Sequence, residues 1–196
     1  MTKLILDMSM SLDGFIAGPE DGPGAGLGRG GHRLHDWLAA GAGSPGSYRP
    51  EGPSAQVFDE MMATGAVLVG RRTFDLADQW SGDHHDGVPI FVPTHEPPSD
   101  PPRGPATITY VTDGIESAVA QAKAAAGGRD VMMHGADTAQ RCLRAGVLDE
   151  MEIHLVPVLL GDGRRLFDGL GDDHIELDPV RVIEAPGVTH LRFRVG

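Results

Sequence analysis

Apolar residues fall along this chain in short blocks that switch between two periods. Leu4-Ile5-Leu6-Asp7-Met8-Ser9-Met10 is a nearly continuous apolar run, which fits a central strand. Residues 66–69, 89–92, 107–111, 131–134 and 151–160 read as further strands. Between them the spacing turns helical. Val57, Phe58, Met61 and Met62 predict a helix over 54–64, with Ser54 as N-cap and Gly65 as its stop. Ile115, Ala118, Val119 and Ala122 predict another, opened by an acidic capping box at Asp113 and Glu116. Ala139, Cys142 and Leu143 lie at i, i+3 and i+4 of a third, closed by Gly146. A short helix is expected from Gly70 through Trp80. Residues 175–177, 180–185 and 188–195 alternate like antiparallel strands, the last two joined by a hairpin at Pro186-Gly187. Strands that alternate with helices and end in a β-rich tail predict an α/β fold, a mixed sheet with helices on both faces. No repeat or internal boundary interrupts it, so residues 1–196 read as a single domain.

One segment breaks the pattern. Residues 18–53 are rich in Gly and Pro and carry a single apolar island, with Leu34, Trp37 and Leu38 on one face of a short helix. The flanks hold too little apolar surface to fold by themselves. Long loops in compact domains tend to be functional. This one is read as an inserted mobile flap over a pocket, anchored by Trp37.

Composition narrows the partners. The formal net charge of −12 disfavours nucleic acid and anionic membranes, both of which need a positive surface. No run approaches the roughly 20 apolar residues that span a bilayer, and no signal peptide is visible, so a cytoplasmic protein is expected. Cys142 is the single cysteine and reads as a small core residue.

Two strand–turn–helix junctions carry the candidate chemistry: Gly70-Arg71-Arg72-Thr73, and His134-Gly135-Ala136-Asp137-Thr138. Free N–H groups and the positive end of the helix dipole gather at such junctions, which suits phosphate. Ligands of open α/β sheets bind at the carboxyl ends of such strands. Arg71 and Arg72 add the fixed charge that a 2′-phosphate would need; the plainer reading is two solvated arginines. Neither a Gly-x-Gly-x-x-Gly fingerprint nor a Walker lysine motif is present. His84-His85, between Asp83 and Asp86, is a poor metal motif, because adjacent side chains rarely converge on one ion. The acid–base candidates are Asp13, otherwise a turn residue, and Asp36, otherwise an exposed acid beside Trp37.

Met8-Ser9-Met10-Ser11-Leu12-Asp13-Gly14-Phe15-Ile16-Ala17 resembles the opening of the dihydrofolate-reductase-like family, and more closely the reductase domain of bifunctional riboflavin-biosynthesis deaminase-reductases. Val69 to Phe74 is similar to that family's Gly-Arg-x-Thr motif. Residues 145–150 and 157–163 are similar to its two late signatures, which end at Leu166-Phe167. The order and spacing run almost the full chain outside the flap, and the zinc deaminase half is missing.

The resemblance implies a three-layer sandwich on a mixed, mainly parallel sheet, with NADPH extended across its carboxyl edge. By position, Gly70, Arg71, Arg72 and Thr73 would hold phosphate and Thr94 would lie near the adenosine. Gly135, Ala136, Asp137 and Thr138 would take the pyrophosphate, and Ala17 with the strand before Pro157 would border the nicotinamide. His134 stands where the family has the first glycine of a Gly-Gly pair. A cis or distorted His134–Gly135 peptide is therefore expected. Asp137 brings a carboxylate near the phosphates. The implied protein is an NADPH-dependent reductase of a small heterocyclic or carbonyl substrate, with the pyrimidine reductase of riboflavin biosynthesis as its most specific form. Asp36 or Asp13 would steer a proton, and a homodimer is expected. A non-catalytic nucleotide- or flavin-binding protein on the same fold is the rival, and a purely structural partner-binding domain the third reading.

Overall fold

The computed structural model describes residues 1–39, 48–172 and 174–196. Of the insertion at 18–53, residues 40–47 lie outside the described residues. Four strands form where the apolar runs predict them: β1 (Leu4–Ser11), β3 (Ala66–Val69), β4 (Ile90–Pro93) and β5 (Ile108–Val111). β2 (Phe15–Ala17) follows the bend after β1. Two more follow later, β6 (Val131–His134) and β7 (Glu150–Val156). β7 is shorter than its apolar run, because Pro157 has no N–H to continue a ladder. β8 (Arg164–Arg165) pairs with β2, and β9 (Leu177–Ala185) and β10 (Val188–Val195) make the C-terminal hairpin.

The main sheet has eight strands in the order β5-β4-β3-β6-β1-β7-β10-β9. β5 through β7 run parallel, and β10 and β9 are antiparallel additions at one edge. This is the mixed, mainly parallel sheet expected. α4 (Ile115–Ala125) and α5 (Ala136–Arg144) cover one face. Their Ala118, Val119, Ala122, Ala139, Cys142 and Leu143 pack on alternate strand residues such as Leu4, Leu6, Leu68 and Met133. On the other face, α3 (Arg71–Leu76) sets Phe74 against Val67, Val69, Ile90 and Val92. The 3-10 turn Gly31–His35 and α1 (Asp36–Ala39) set Leu34 and Trp37 against Val156 and Val188. α2 (Pro53–Met62) lies beside β9, where Arg181 bonds Glu60 at 2.8 Å. Among the described residues, no helix is long and apolar enough to cross a membrane.

Two expected caps are different. Gly52 stands at the N-cap of α2, so Ser54 falls inside the first turn and turns its hydroxyl to His190. Gly114 stands at the N-cap of α4 and no side chain caps that end; Asp113 accepts a bond from Ser117 instead.

Candidate functional site

Unequal strand lengths make the site. β6 ends at His134 beside Asp7, and β3 ends at Val69, whereas β1 and β7 stay paired as far as Ser11 and Val156. Four further residues at about 3.3 Å each leave a step about 13 Å high along the sheet's carboxyl edge. α3 and α5 begin at the foot of this step, side by side: the Gly70 N–H donates to the His134 carbonyl at 3.3 Å. Each mouth is closed tightly against the other. A Cβ on Gly70 would lie 2.5 Å from Thr138 Oγ1, and one on Gly135 would lie 2.6 Å from Thr73 Oγ1. The N–H groups of Arg71, Arg72 and Thr73, and of Ala136, Asp137 and Thr138, have no hydrogen-bond acceptor among the described residues. Six free donors beneath one step match the needs of a pyrophosphate-bearing ligand.

The cis form expected for the His134–Gly135 peptide needs correcting. Among the described residues no peptide bond is cis. The chain turns into α5 through Gly135 itself, at φ 100° and ψ 139°, a backbone state open to glycine, so no peptide isomer is needed.

The other expected residues are spread over several elements. Ala17 is buried on β2 against Arg164. Thr94 follows the end of β4, and its hydroxyl bonds the Glu96 backbone. Arg71 bonds Asp75 at 2.7 Å and lies over the Tyr110 ring. Arg72 is paired with Asp21. The Asp137 carboxylate is drawn back along α5 by Arg141 at 2.9 Å, away from the free N–H groups. Asp36 is exposed and paired with Arg33 at 2.7 Å. Asp13 accepts bonds from the Ser11 hydroxyl and from the Leu160 and Gly161 N–H groups. The Ser11 hydroxyl leads in holding its carboxyl below the usual range. Both of its oxygens clamp the loop after β7.

The strongest concentration of titratable groups lies elsewhere, on two strings of histidines that meet at Asp7. In the first, His154 Nε2 lies 3.2 Å from Asp7 Oδ1, His154 Nδ1 2.8 Å from His190 Nδ1, and His190 Nε2 3.0 Å from Ser54 Oγ. In the second, His134 Nδ1 lies 2.8 Å from the Asp7 carbonyl, His134 Nε2 3.2 Å from His84 Nε2, and His84 Nδ1 2.8 Å from His85 Nδ1. Donor and acceptor counting assigns the tautomers. With neutral rings, Ser54 donates to His190, His190 to His154, and His154 to the Asp7 carboxylate. In the other string His134 donates to the Asp7 carbonyl and accepts from His84; His85 faces both His84 Nδ1 at 2.8 Å and the Thr64 carbonyl at 3.4 Å, and as a neutral ring it can donate to only one of them. The bonds nearest the centre, from His154 and His134, point toward Asp7. Trp37 seals the first string: its indole N–H donates to Ser9 at 2.9 Å and its ring lies 4.6 Å from His154 and 4.9 Å from His190.

Burial disfavours the charged form of His190, His134, His85 and His84. It pushes His190 down to about 4, with His154 adding to the effect, and it lowers His134 and His85 and carries His84 well down. His35, above the same strands, is pushed down to about 4. Asp7 goes the other way from its burial. Desolvation raises its carboxyl, but the bonded His154, with His134 and His190, more than reverses this and leaves it below the ordinary range. The centre is one buried carboxylate with imidazoles packed around it. Among the described residues no group of three or more His, Cys, Asp or Glu side chains is placed to hold a metal ion.

The family model of the RibD C-terminal domain matches residues 2–191. The chain belongs to that family. No curated protein sequence is close enough to count as a match. Solved structures share the architecture. A Shewanella sp. PV-4 protein assigned to riboflavin biosynthesis superposes with a TM-score of 0.72 at 22% identity, over 100% of this chain and 99% of that one. The Thermotoga maritima diaminohydroxyphosphoribosylaminopyrimidine deaminase/5-amino-6-(5-phosphoribosylamino)uracil reductase gives 0.64 at 15% identity; the chain is covered fully and spans 57% of that protein. The dihydrofolate reductase of Enterococcus faecalis, solved with NADP(H) and RAB-propyl, gives 0.59 at 13% identity, over 98% of this chain and 96% of that one.

Sequence reading placed the helix mouths of this RibD C-terminal domain but passed over Asp7, His154 and His190. A signal was present. Asp7, Ser9 and Ser11 alternate with Leu6, Met8 and Met10, and Glu150, Glu152 and His154 alternate with Met151, Ile153 and Leu155. Polar residues at every second position of two central strands share one face, so the charged groups had to meet inside.

Proposed function

We propose that this RibD C-terminal domain is an NADPH-dependent reductase of a small heterocyclic or carbonyl substrate, with 5-amino-6-(5-phosphoribosylamino)uracil as the specific candidate. The observation that carries the reading is the pair of adjoining helix mouths at the foot of the β1 step, with six free N–H groups and two arginines beside them. The residues fit the cofactor. Gly135 to Thr138 and Gly70 to Thr73 would hold its phosphates, Arg71 or Arg72 its 2′-phosphate, Thr94 its adenosine end, and Ala17 would border the nicotinamide. When bound, the nicotinamide supplies a hydride. The chain must supply a proton and keep water away.

For the proton, this reading prefers Asp7 and the histidines around it, as a hydrogen-bonded path along which a proton can pass, to Asp13 and Asp36. The carboxylates of Asp13 and Asp36 are taken up by a loop clamp and a surface ion pair, whereas Asp7 and His134 lie directly beside the step. Titration of the purified protein with NADPH and NADH, followed by oxidation of NADPH with the pyrimidine substrate, tests the proposal. The expected result is tighter binding of NADPH than of NADH and turnover that needs the substrate. Lack of affinity for either nucleotide would leave only the architecture.

A further inference from the structure

Asp21 is held in an unusual way. It lies on the loop that leaves β2, and that loop is a compact piece of structure. The Gly18 N–H donates to the Leu27 carbonyl, the Arg29 N–H to Pro19, and Gly22 and Ala25 exchange backbone bonds. The far side of the loop rests on α3, where a Cβ on Gly26 would come 2.5 Å from the Leu76 carbonyl. Arg72, from the first turn of α3, grips both parts of Asp21: Nη2 is 2.9 Å from Oδ2 and 3.0 Å from the backbone carbonyl. Arg164, from β8, brings its Nε to 3.5 Å of the same Oδ2. The Asp21 side chain keeps only 16% of its exposure, although both arginines remain about half exposed. Beside it opens a polar hollow of about 570 Å³, bordered by Gln140, Arg164, Arg165 and the turn Gly161 to Gly163.

Two guanidinium groups from distant elements share one carboxylate oxygen beside this hollow. Their charges sum to +2 against −1 from Asp21; in the hollow beside them Arg165 adds one further positive charge and Asp162 and Asp168 add two negative ones. A phosphomonoester dianion has the charge and the three oxygens to satisfy both forks. We propose that Arg72 and Arg164 form a phosphate-binding pair, and that Asp21 occupies it in the free chain as a stand-in that the ligand's phosphate displaces. The inference extends the reading of the helix mouths as a phosphate site and adds Arg164 and Asp21 to it. The same chemistry could come from the cofactor's 2′-phosphate or from a phosphorylated sugar on the substrate.

Calorimetric titration of the wild type, Asp21→Asn and Asp21→Asn/Arg164→Gln with NADPH, NADH and ribose 5-phosphate decides the matter, with circular dichroism checking that each variant is folded. Asp21→Asn keeps the shape of the side chain and removes the competing charge. It should bind a phosphomonoester about tenfold more tightly, and Arg164→Gln should cancel the gain. A gain for NADPH but not NADH assigns the pair to the 2′-phosphate, and a gain for ribose 5-phosphate alone assigns it to the substrate. Equal or weaker binding of every probe by Asp21→Asn overturns the proposal, even if NADPH binds the wild type. Failure of both nicotinamide nucleotides to bind any variant would sink the reductase reading instead, and the ribose 5-phosphate titration would still judge the pair.

Discussion

Asp7 has more at stake than its size suggests. It is a carboxylate in the middle of a central strand, and two histidine strings direct their N–H bonds to it. Asp7→Asn keeps the volume but removes the charge and can offer N–H where an acceptor is needed. If Asp7 governs the proton, kcat should fall by about 10²–10⁴-fold, with NADPH affinity nearly unchanged. Asp13→Asn and Asp36→Asn should keep most of the turnover. Steady-state kinetics of the three variants, each checked for folding, distinguish them; a large loss in Asp36→Asn alone would return the acid to the surface helix. Gly135 is the second sensitive position. Its φ of 100° strains any other residue, and an added Cβ would strike Thr73. Gly135→Ala should lower the unfolding free energy by about 1–3 kcal/mol in chemical denaturation and weaken NADPH binding.

Among the elements, β9 is the exposed one. It is the last strand of the sheet, and Leu177, Val180 and Val182 on it remain 38%, 48% and 61% exposed. Three apolar side chains on an edge strand invite pairing with another chain unless something covers them. They give the expected homodimer a place to form. In light scattering, Val182→Asp should shift a dimeric protein to monomer; a dimer that survives the change uses another surface. The opposite edge, β5, carries Thr109 and Tyr110 and is less apolar. The segment read from sequence as a loose flap also has firmer anchors than its composition suggested. Trp37 is almost fully buried and hydrogen-bonded, and Gly18 and Gly28 sit where no side chain would fit.

For the whole molecule, the buried imidazoles set how stability depends on acid. A histidine neutral in the folded chain and freely charged in the unfolded one makes the unfolded state bind more protons between the two pKa values. Stability therefore falls as pH drops through that window. For His190 the window runs from the ordinary 6.5 down to about 4, a shift that corresponds to a ceiling of about 3 kcal/mol. His134, His84 and His85 are shifted in the same direction. Glu152, whose carboxyl burial raises, opposes them, but it is one group against several. Melting temperature should drop steadily from pH 7 to pH 4, and His190→Asn should flatten that slope. An unchanged melting temperature across the window would mean the rings are already charged or solvated in the folded chain.

The β1, β3, β4, β5, β6 and β10 strands, the α5 helix and both helix mouths could be read from the linear chain, because each depends on local patterns: an apolar run, a small-residue turn, a 3.6-residue period. Cys142 was placed in the core for the same reason. The centre at Asp7 could not be read that way. Its members come from β1, β6, β7, β10, α2 and the loop after α3, separated by up to 183 positions between Asp7 and His190. In isolation each histidine is an ordinary polar residue. Only the strand order, which puts β6 and β7 on either side of β1 and β10 beyond β7, brings them within hydrogen-bond reach and removes their water. The same holds for Asp21, Arg72 and Arg164. Secondary structure is encoded by neighbours along the chain, whereas burial and charge pairing are set by neighbours across the sheet.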